Sequence, residues 1–143
     1  MDSAKRVING TWGQVWLDGD YVSECYACKL AAKTSKEKVY LAGQMAGDNK
    51  ITNIELTGTL KLYKCSSRMA SLIADKLKSG QDVRFTVISK LDDPDAYGAE
   101  RISVTGVSFD DLTLADWEAN KIGQTECPFT FTDYSFLDTI EAQ

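Results

Sequence analysis

The sequence predicts a mainly β domain with one α-helix, built as a β-sandwich or partial barrel. Three observations carry this expectation. Apolar and polar residues alternate along several separated segments, only one segment has helical spacing, and turn-forming residues punctuate the intervals between them. At 143 residues, 43% hydrophobic and 26% charged, residues 1–143 read as a single globular domain with enough apolar material for its own core.

Taken in order, Thr11–Leu17 alternates and runs into Asp18-Gly19-Asp20. Gly19 supplies a positive φ there at little cost, so the segment turns as a hairpin. Tyr21 to about Lys33 is then expected as the return strand. Residues 34–50 are polar and punctuated by glycine, with apolar Val39, Tyr40, Leu41 and Met45 among them. That composition predicts a long loop at about 34–50, and a loop gains nothing from such residues unless they meet a partner.

Ile51–Lys64 is the clearest strand. Ile54, Leu56, Leu60 and Leu62 fall on one face and Asn53, Glu55, Thr57, Thr59 and Lys61 on the other. A strand of that length needs equally long neighbours, or another chain, to pair its backbone. Ser66–Gly80 is the helix: Ser66 or Ser67 caps its start, Lys76 and Lys78 suit its last turn, and Gly80 suits its end. Met69, Leu72, Ile73 and Leu77 form its apolar stripe. Strands are expected again at Asp82–Leu91, Glu100–Phe109 and Gln124–Thr132, with a turn-rich loop at Asp92–Ala99. Asp110–Asn120 fits either a short helical turn or an extended connection. Pro128 has no N–H for a ladder and marks its strand as an edge or a bulge. The sum is six or seven strands, with the helix after the fourth.

Composition excludes several functions. There is no histidine, which removes imidazole bases and histidine metal ligands. Sixteen Lys and Arg face twenty-one Asp and Glu, a net charge of -5, the wrong sign for a protein that grips phosphate backbones. Neither a secretory leader nor a membrane-spanning stretch is expected from the apolar patterning. Cys25 and Cys28 form a CxxC, but Cys65 and Cys127 are isolated, so a zinc set is not met. Three positions apart on a strand, the two thiols are expected on opposite faces. Asp92, Asp93, Asp95 and Glu100 miss calcium-loop spacing, because Tyr97 stands where a ligand is needed. Asn9-Gly10-Thr11 has the letters of a glycosylation site, without the secretion that would use it. No P-loop or nucleophile elbow is present, so the expectation is no enzyme, no metal and no cofactor.

Several long strings together have a family character. VINGTWGQVWLDGD, TGTLKLYK, DVRFTVISKLDDPDAYGAERI, VSFDDLTLADWE and PFTFTDYSFLD resemble the XkdM-like tail tube proteins. These occur in PBSX-like defective phage, in contractile-tailed phages of Gram-positive bacteria and in R-type bacteriocins such as the diffocins. The resemblance implies a structural protein with the fold of the Hcp tube of type VI secretion. It implies hexameric rings stacked into a hollow inner tube, driven through the target envelope and conducting DNA or ions. The implied partners are further copies of the chain, a sheath protein, and baseplate and tail-terminator proteins. DNA would pass through the lumen without specific binding, and no stable membrane insertion is implied. The implied localisation is synthesis in the bacterial cytoplasm and assembly in a phage tail, as part of the virion, or in a bacteriocin particle.

Within that frame, Val39, Tyr40, Leu41 and Met45 are expected to reach the adjacent ring. Asn53, Glu55, Thr57, Thr59, Lys61, Thr130 and Thr132 are expected to face the lumen, where an acidic or hydroxyl-rich wall would let a phosphate backbone slide past. The residues taken alone also admit a small monomeric β-barrel ligand-binding module, or a thiol or metal protein using Cys25 and Cys28. Rings or tubes under some condition separate the first of these from a tube subunit.

Overall fold

The computed structural model describes residues 3–141 and is a mainly antiparallel β structure with one α-helix. One layer contains β1 (Gly13–Leu17), β2 (Asp20–Tyr21), β5 (Phe85–Leu91), β6 (Glu100–Phe109) and β8 (Asp133–Asp138). The other contains β3 (Cys25–Val39), β4 (Asp48–Tyr63) and β7 (Gln124–Thr130). Strand order is β2-β1-β5-β6-β7-β4-β3, with β8 also paired to β6. The eight strands exceed the expected six or seven because the short β2 and the C-terminal β8 both form ladders.

The two layers are joined through β6. Its first part pairs with β5 and β8, and its last residues, Ser108 and Phe109, pair with Thr130 and Phe129 of β7. The bend falls at a bulge where Thr105 and Gly106 lie between the pairs Val87↔Val104 and Phe85↔Val107. Gly106 adopts φ +66 there, and a Cβ would sit 2.2 Å from the Thr132 hydroxyl oxygen. Only glycine fits this corner.

Between the layers lie Val15, Leu17, Leu60, Leu62, Val87, Val104, Val107, Cys127, Phe129 and Phe131, all buried. Phe85, Phe109, Phe129 and Phe131 follow one another with ring centroids 5.5, 5.6 and 6.2 Å apart, in the tilted and edge-on arrangements aromatic quadrupoles favour. The alternation read in Gln124–Thr132 therefore holds, with Cys127, Phe129 and Phe131 inward. In Ile51–Lys64 it holds over the second half only: Leu60 and Leu62 are buried, whereas Ile54 is exposed.

The reason is that β3 and β4 outrun the core. They pair over fourteen register positions, from Cys25↔Leu62 to Val39↔Asp48. The long loop expected at about 34–50 is thus a strand at its beginning and end, and only residues 40–47 form the turn. Polar sequence misled there because the two strands satisfy each other's backbone without burying either face. The return strand expected from Tyr21 to Lys33 is also different. After Asp18-Gly19, β2 lasts two residues, and the chain then crosses to the other layer as β3.

The helix α1 (Arg68–Lys78) ends as expected: the N–H groups of Gly80 and Gln81 donate to Leu77 O and Lys76 O. Ser67 is the N-cap residue, although its side chain makes no capping bond. Met69 and Ile73 enter the core, while Leu72 and Leu77 of the expected stripe are exposed at its margin. Arg68 Nε donates to Glu24 Oε1 at 2.6 Å, fastening the start of the helix to the β2–β3 connection. Pro128 stands where the β6–β7 ladder ends. Asp110 N–H donates to its carbonyl, and the reciprocal bond is the one proline cannot make.

Gly58 packs beneath the Phe129 ring, and a Cβ there would lie 2.5 Å from Phe129 Cζ and 2.8 Å from Lys29 O. Gly58→Ala should lose about 1–3 kcal/mol in urea unfolding, against a few tenths of a kcal/mol for an exposed strand control such as Thr57→Ser.

Candidate assembly surfaces

β4 has β3 on one side for nearly its full length and β7 on the other from Thr57 to Tyr63. The outer side of β3 carries no partner strand among the described residues. On the far side of β7, β6 pairs only with Phe129 and Thr130. The β4–β7 register turns the N–H and C=O of Gln124 and Glu126 away from β4, toward that open side. One sheet therefore ends in open backbone groups at both margins, a surface suited to strand addition.

The β3–β4 hairpin projects beyond the core, and its tip gathers the four residues expected to touch a neighbouring ring. Val39 and Leu41 are exposed, Tyr40 is 74% exposed and Met45 is entirely so. Lys38 Nζ lies 5.9 Å from the centre of the Tyr40 ring. Apolar residues this exposed at the end of a projecting hairpin make the tip a candidate contact surface.

The outward face of the β3–β4–β7 sheet holds Asn53, Glu55, Thr57, Thr59 and Lys61, with Thr130 opposite Thr57. The cross-strand pairs Lys33↔Glu55, Ala31↔Thr57 and Lys29↔Thr59 put two more lysines on this face. Thr132 lies past the end of β7, where its N–H and hydroxyl both donate to Thr105 O and its side chain covers Gly106.

Two apolar groups escaped the sequence reading. Tyr134 and Phe136 of β8 are exposed, as are Leu114, Trp117 and Ile122 in the segment between β6 and β7. That segment, including Asp110–Asn120, is an irregular connection without helix that closes in a turn where Lys121 N–H donates to Glu118 O. The available signal was a tryptophan in an acidic stretch with no periodicity to bury it.

Cys25, Cys28 and Cys127 pack on the core side of the sheet. Cys25 and Cys28 were expected on opposite faces, but a bulge at Tyr26 places Cys25 opposite Leu62 and Cys28 opposite Leu60, both on the core side. Cys127 lies across Leu60 from Cys28. Burial pushes the Cys28 and Cys127 thiols up to about 11 and raises Cys25 as well. Asp93 is buried and structural: its carboxylate accepts from Asn9 N–H and Asp95 N–H at 2.8 and 2.9 Å. Among the described residues, no three Cys, Asp or Glu side chains converge on a metal position.

The model of the phage tail tube protein family matches residues 2–138. The chain belongs to that family. The PBSX phage-like element protein XkdM of Bacillus subtilis is 31% identical to this tail tube protein over 133 residues, which cover 92% of the chain and 90% of XkdM. Two solved structures of an extracellular contractile injection system share the fold at 12% identity. The chain in the extended sheath–tube complex has a TM-score of 0.70, with 97% of this chain and 100% of that one covered. The chain in the sheath/tube terminator has a TM-score of 0.72, with coverages of 95% and 100%.

The thiols give a direct check. At pH 8, Cys65, the exposed cysteine among the described residues, should react with an aromatic disulfide reagent within seconds to minutes. Cys28 and Cys127 should react only on denaturation, since the thiolate is the attacking species. The Glu24–Arg68 pair gives a second. The guanidinium hydrogen bond holds the Glu24 carboxyl below its ordinary value of 4.5. A depressed carboxyl stabilises the fold above the unfolded value and loses that contribution as pH falls through the folded one. Glu24→Gln should therefore cost roughly 1–2 kcal/mol at pH 7, and the difference from wild type should shrink in melts below pH 4.5.

Proposed function

We propose that the chain is the inner-tube subunit of a contractile tail, closing into six-membered rings that stack into a hollow tube. The observation that carries this reading is the pair of open margins on one sheet. A strand edge on β3 and another on β7 allow head-to-tail addition, and a ring is the arrangement that leaves neither edge exposed. The number six comes from the family resemblance. The projecting tip, with Val39, Tyr40, Leu41 and Met45, reaches the adjacent ring, where its exposed apolar surface is covered. The role is structural and requires no bound cofactor.

In this arrangement the outward face of the β3–β4–β7 sheet lines the lumen, with Asn53, Glu55, Thr57, Thr59, Lys61 and Thr130. Thr132, engaged with Thr105, contributes less to that wall. Such a wall is of mixed charge. Lys29, Lys33 and Lys61 accompany Glu55 and Glu126 there, whereas much of the acidic surplus lies in residues 92–100 and 110–118. A mixed, hydroxyl-rich wall has no concentrated field of either sign to hold a phosphate backbone. The tube then passes DNA or ions while sheath, baseplate and terminator proteins meet its outside and its ends. The subunit is made in the bacterial cytoplasm and assembled into a phage tail or a headless bacteriocin particle, both of which use such a tube.

Electron microscopy of concentrated protein tests the proposal. Wild type should form rings and tubes, and the triple change Tyr40→Ser, Leu41→Ser, Met45→Ser should leave rings that no longer stack. A chain that stays monomeric throughout, alone and with its own baseplate, would instead favour the monomeric ligand-binding module.

A further inference from the structure

We infer that the tip of the β3–β4 hairpin docks, in a second copy of this chain, into the cleft between residues 116–122 and the outward face of the sheet. This rests on the tube reading and names the receiving site for its axial contact. The cleft encloses about 450 Å³. Trp117, 85% exposed, and Ile122 form one wall; Tyr26 and Lys61, on the outward face of the sheet, form the other. Tyr26 stacks on Tyr63 with ring centroids 4.4 Å apart, giving that second wall an aromatic surface.

Position makes the two surfaces complementary. The tip adjoins Asp48 at one end of β4, and the cleft adjoins Tyr63 at the other. Sixteen strand residues separate them by roughly 50 Å at about 3.3 Å per residue. They cannot meet within one copy, but copies aligned along β4 bring the tip of one to the cleft of the next. Such a contact is heterologous and open-ended, the kind that propagates a filament.

Chemistry points the same way. Tyr40 and Met45 supply an aromatic ring and a flexible thioether to a pocket walled by tryptophan and tyrosine, and sulfur–aromatic contacts are favourable. Lys36, Lys38 and Lys50 flank the tip, with Glu37 and Asp48 between them. Asp116, Glu118 and Glu126 rim the cleft, where Lys61 and Lys121 also lie and Lys121 already bridges Glu118 at 3.1 Å. The tip thus carries a surplus of cations and the cleft a surplus of anions. The groove between β3 and β8, about 210 Å³ and lined by Leu30, Ile102, Phe131 and Tyr134, lacks the acidic rim and serves as the competing site.

Cysteine crosslinking in full-length protein with Cys65→Ser tests the assignment. Chains carrying both Met45→Cys and Trp117→Cys should oxidise into an open ladder of dimers, trimers and higher species. Mixing the two single variants should stop at dimers, because each chain then has one reactive end. Leu41→Cys with Ile122→Cys serves as a second pair should either of the first two disturb folding. Crosslinking of Met45→Cys with Tyr134→Cys instead, or tubes in the microscope with neither tip-to-cleft pair crosslinking, would overturn the socket and leave the tube reading standing. A wild-type chain that stays monomeric would overturn both.

Discussion

The backbone pairing of β4 sets most of what this protein is. β4 carries β3 along nearly its whole length, but β7 along only its last seven residues. An unpaired strand N–H or C=O is tolerated where water reaches it and costly where it is buried. The paired core therefore sits under the Thr57–Tyr63 half of β4, and the other half projects with its partner as a two-stranded arm. Arm, open margins and exposed tip all follow from that one mismatch in strand length.

The same pairing explains where the thiols and carboxylates of the described residues are used. The inward side of the sheet is filled by Leu60, Leu62, Phe129 and Phe131, leaving the three inner thiols packed as small hydrophobes. The acidic residues lie in connections, where Asp93 ties loop backbone together and Glu118 pairs with a nearby lysine. The surfaces left over are strand margins and exposed apolar side chains. Those are the features by which one protein copy recognises another.

Much of the fold was legible in the residues because local periodicity survives wherever one face is buried. Phe85, Val87, Cys127, Phe129 and Phe131 alternate as a half-buried sheet requires, and Gly80 ends the helix through a local hydrogen-bond pattern. Legibility failed where two strands are exposed on both faces. Lys36 and Lys38 belong to a strand with no apolar alternation to announce it, so residues 34–39 and 48–50 read as part of a loop. It failed again at Tyr26, where one bulged residue reverses the facing of everything before it. The tip residues were legible as unexplained apolar side chains. Trp117 was passed over because the segment around it shows no period.

By itself the sequence determined the β class, the single helix, the inward set of the second half of β4 and of β7, and the absence of imidazole chemistry. Each follows from residue identity or from spacing along the chain. Tertiary structure alone decided that β6 serves both layers, that Cys25 and Cys28 share a face, and that tip and cleft lie at opposite ends of one strand. These depend on contacts between residues distant in sequence: Gly106 against Thr132, Cys25 opposite Leu62, and Tyr26 stacked on Tyr63. No local preference encodes such pairings, because the free energy that selects them is released only when the layers close.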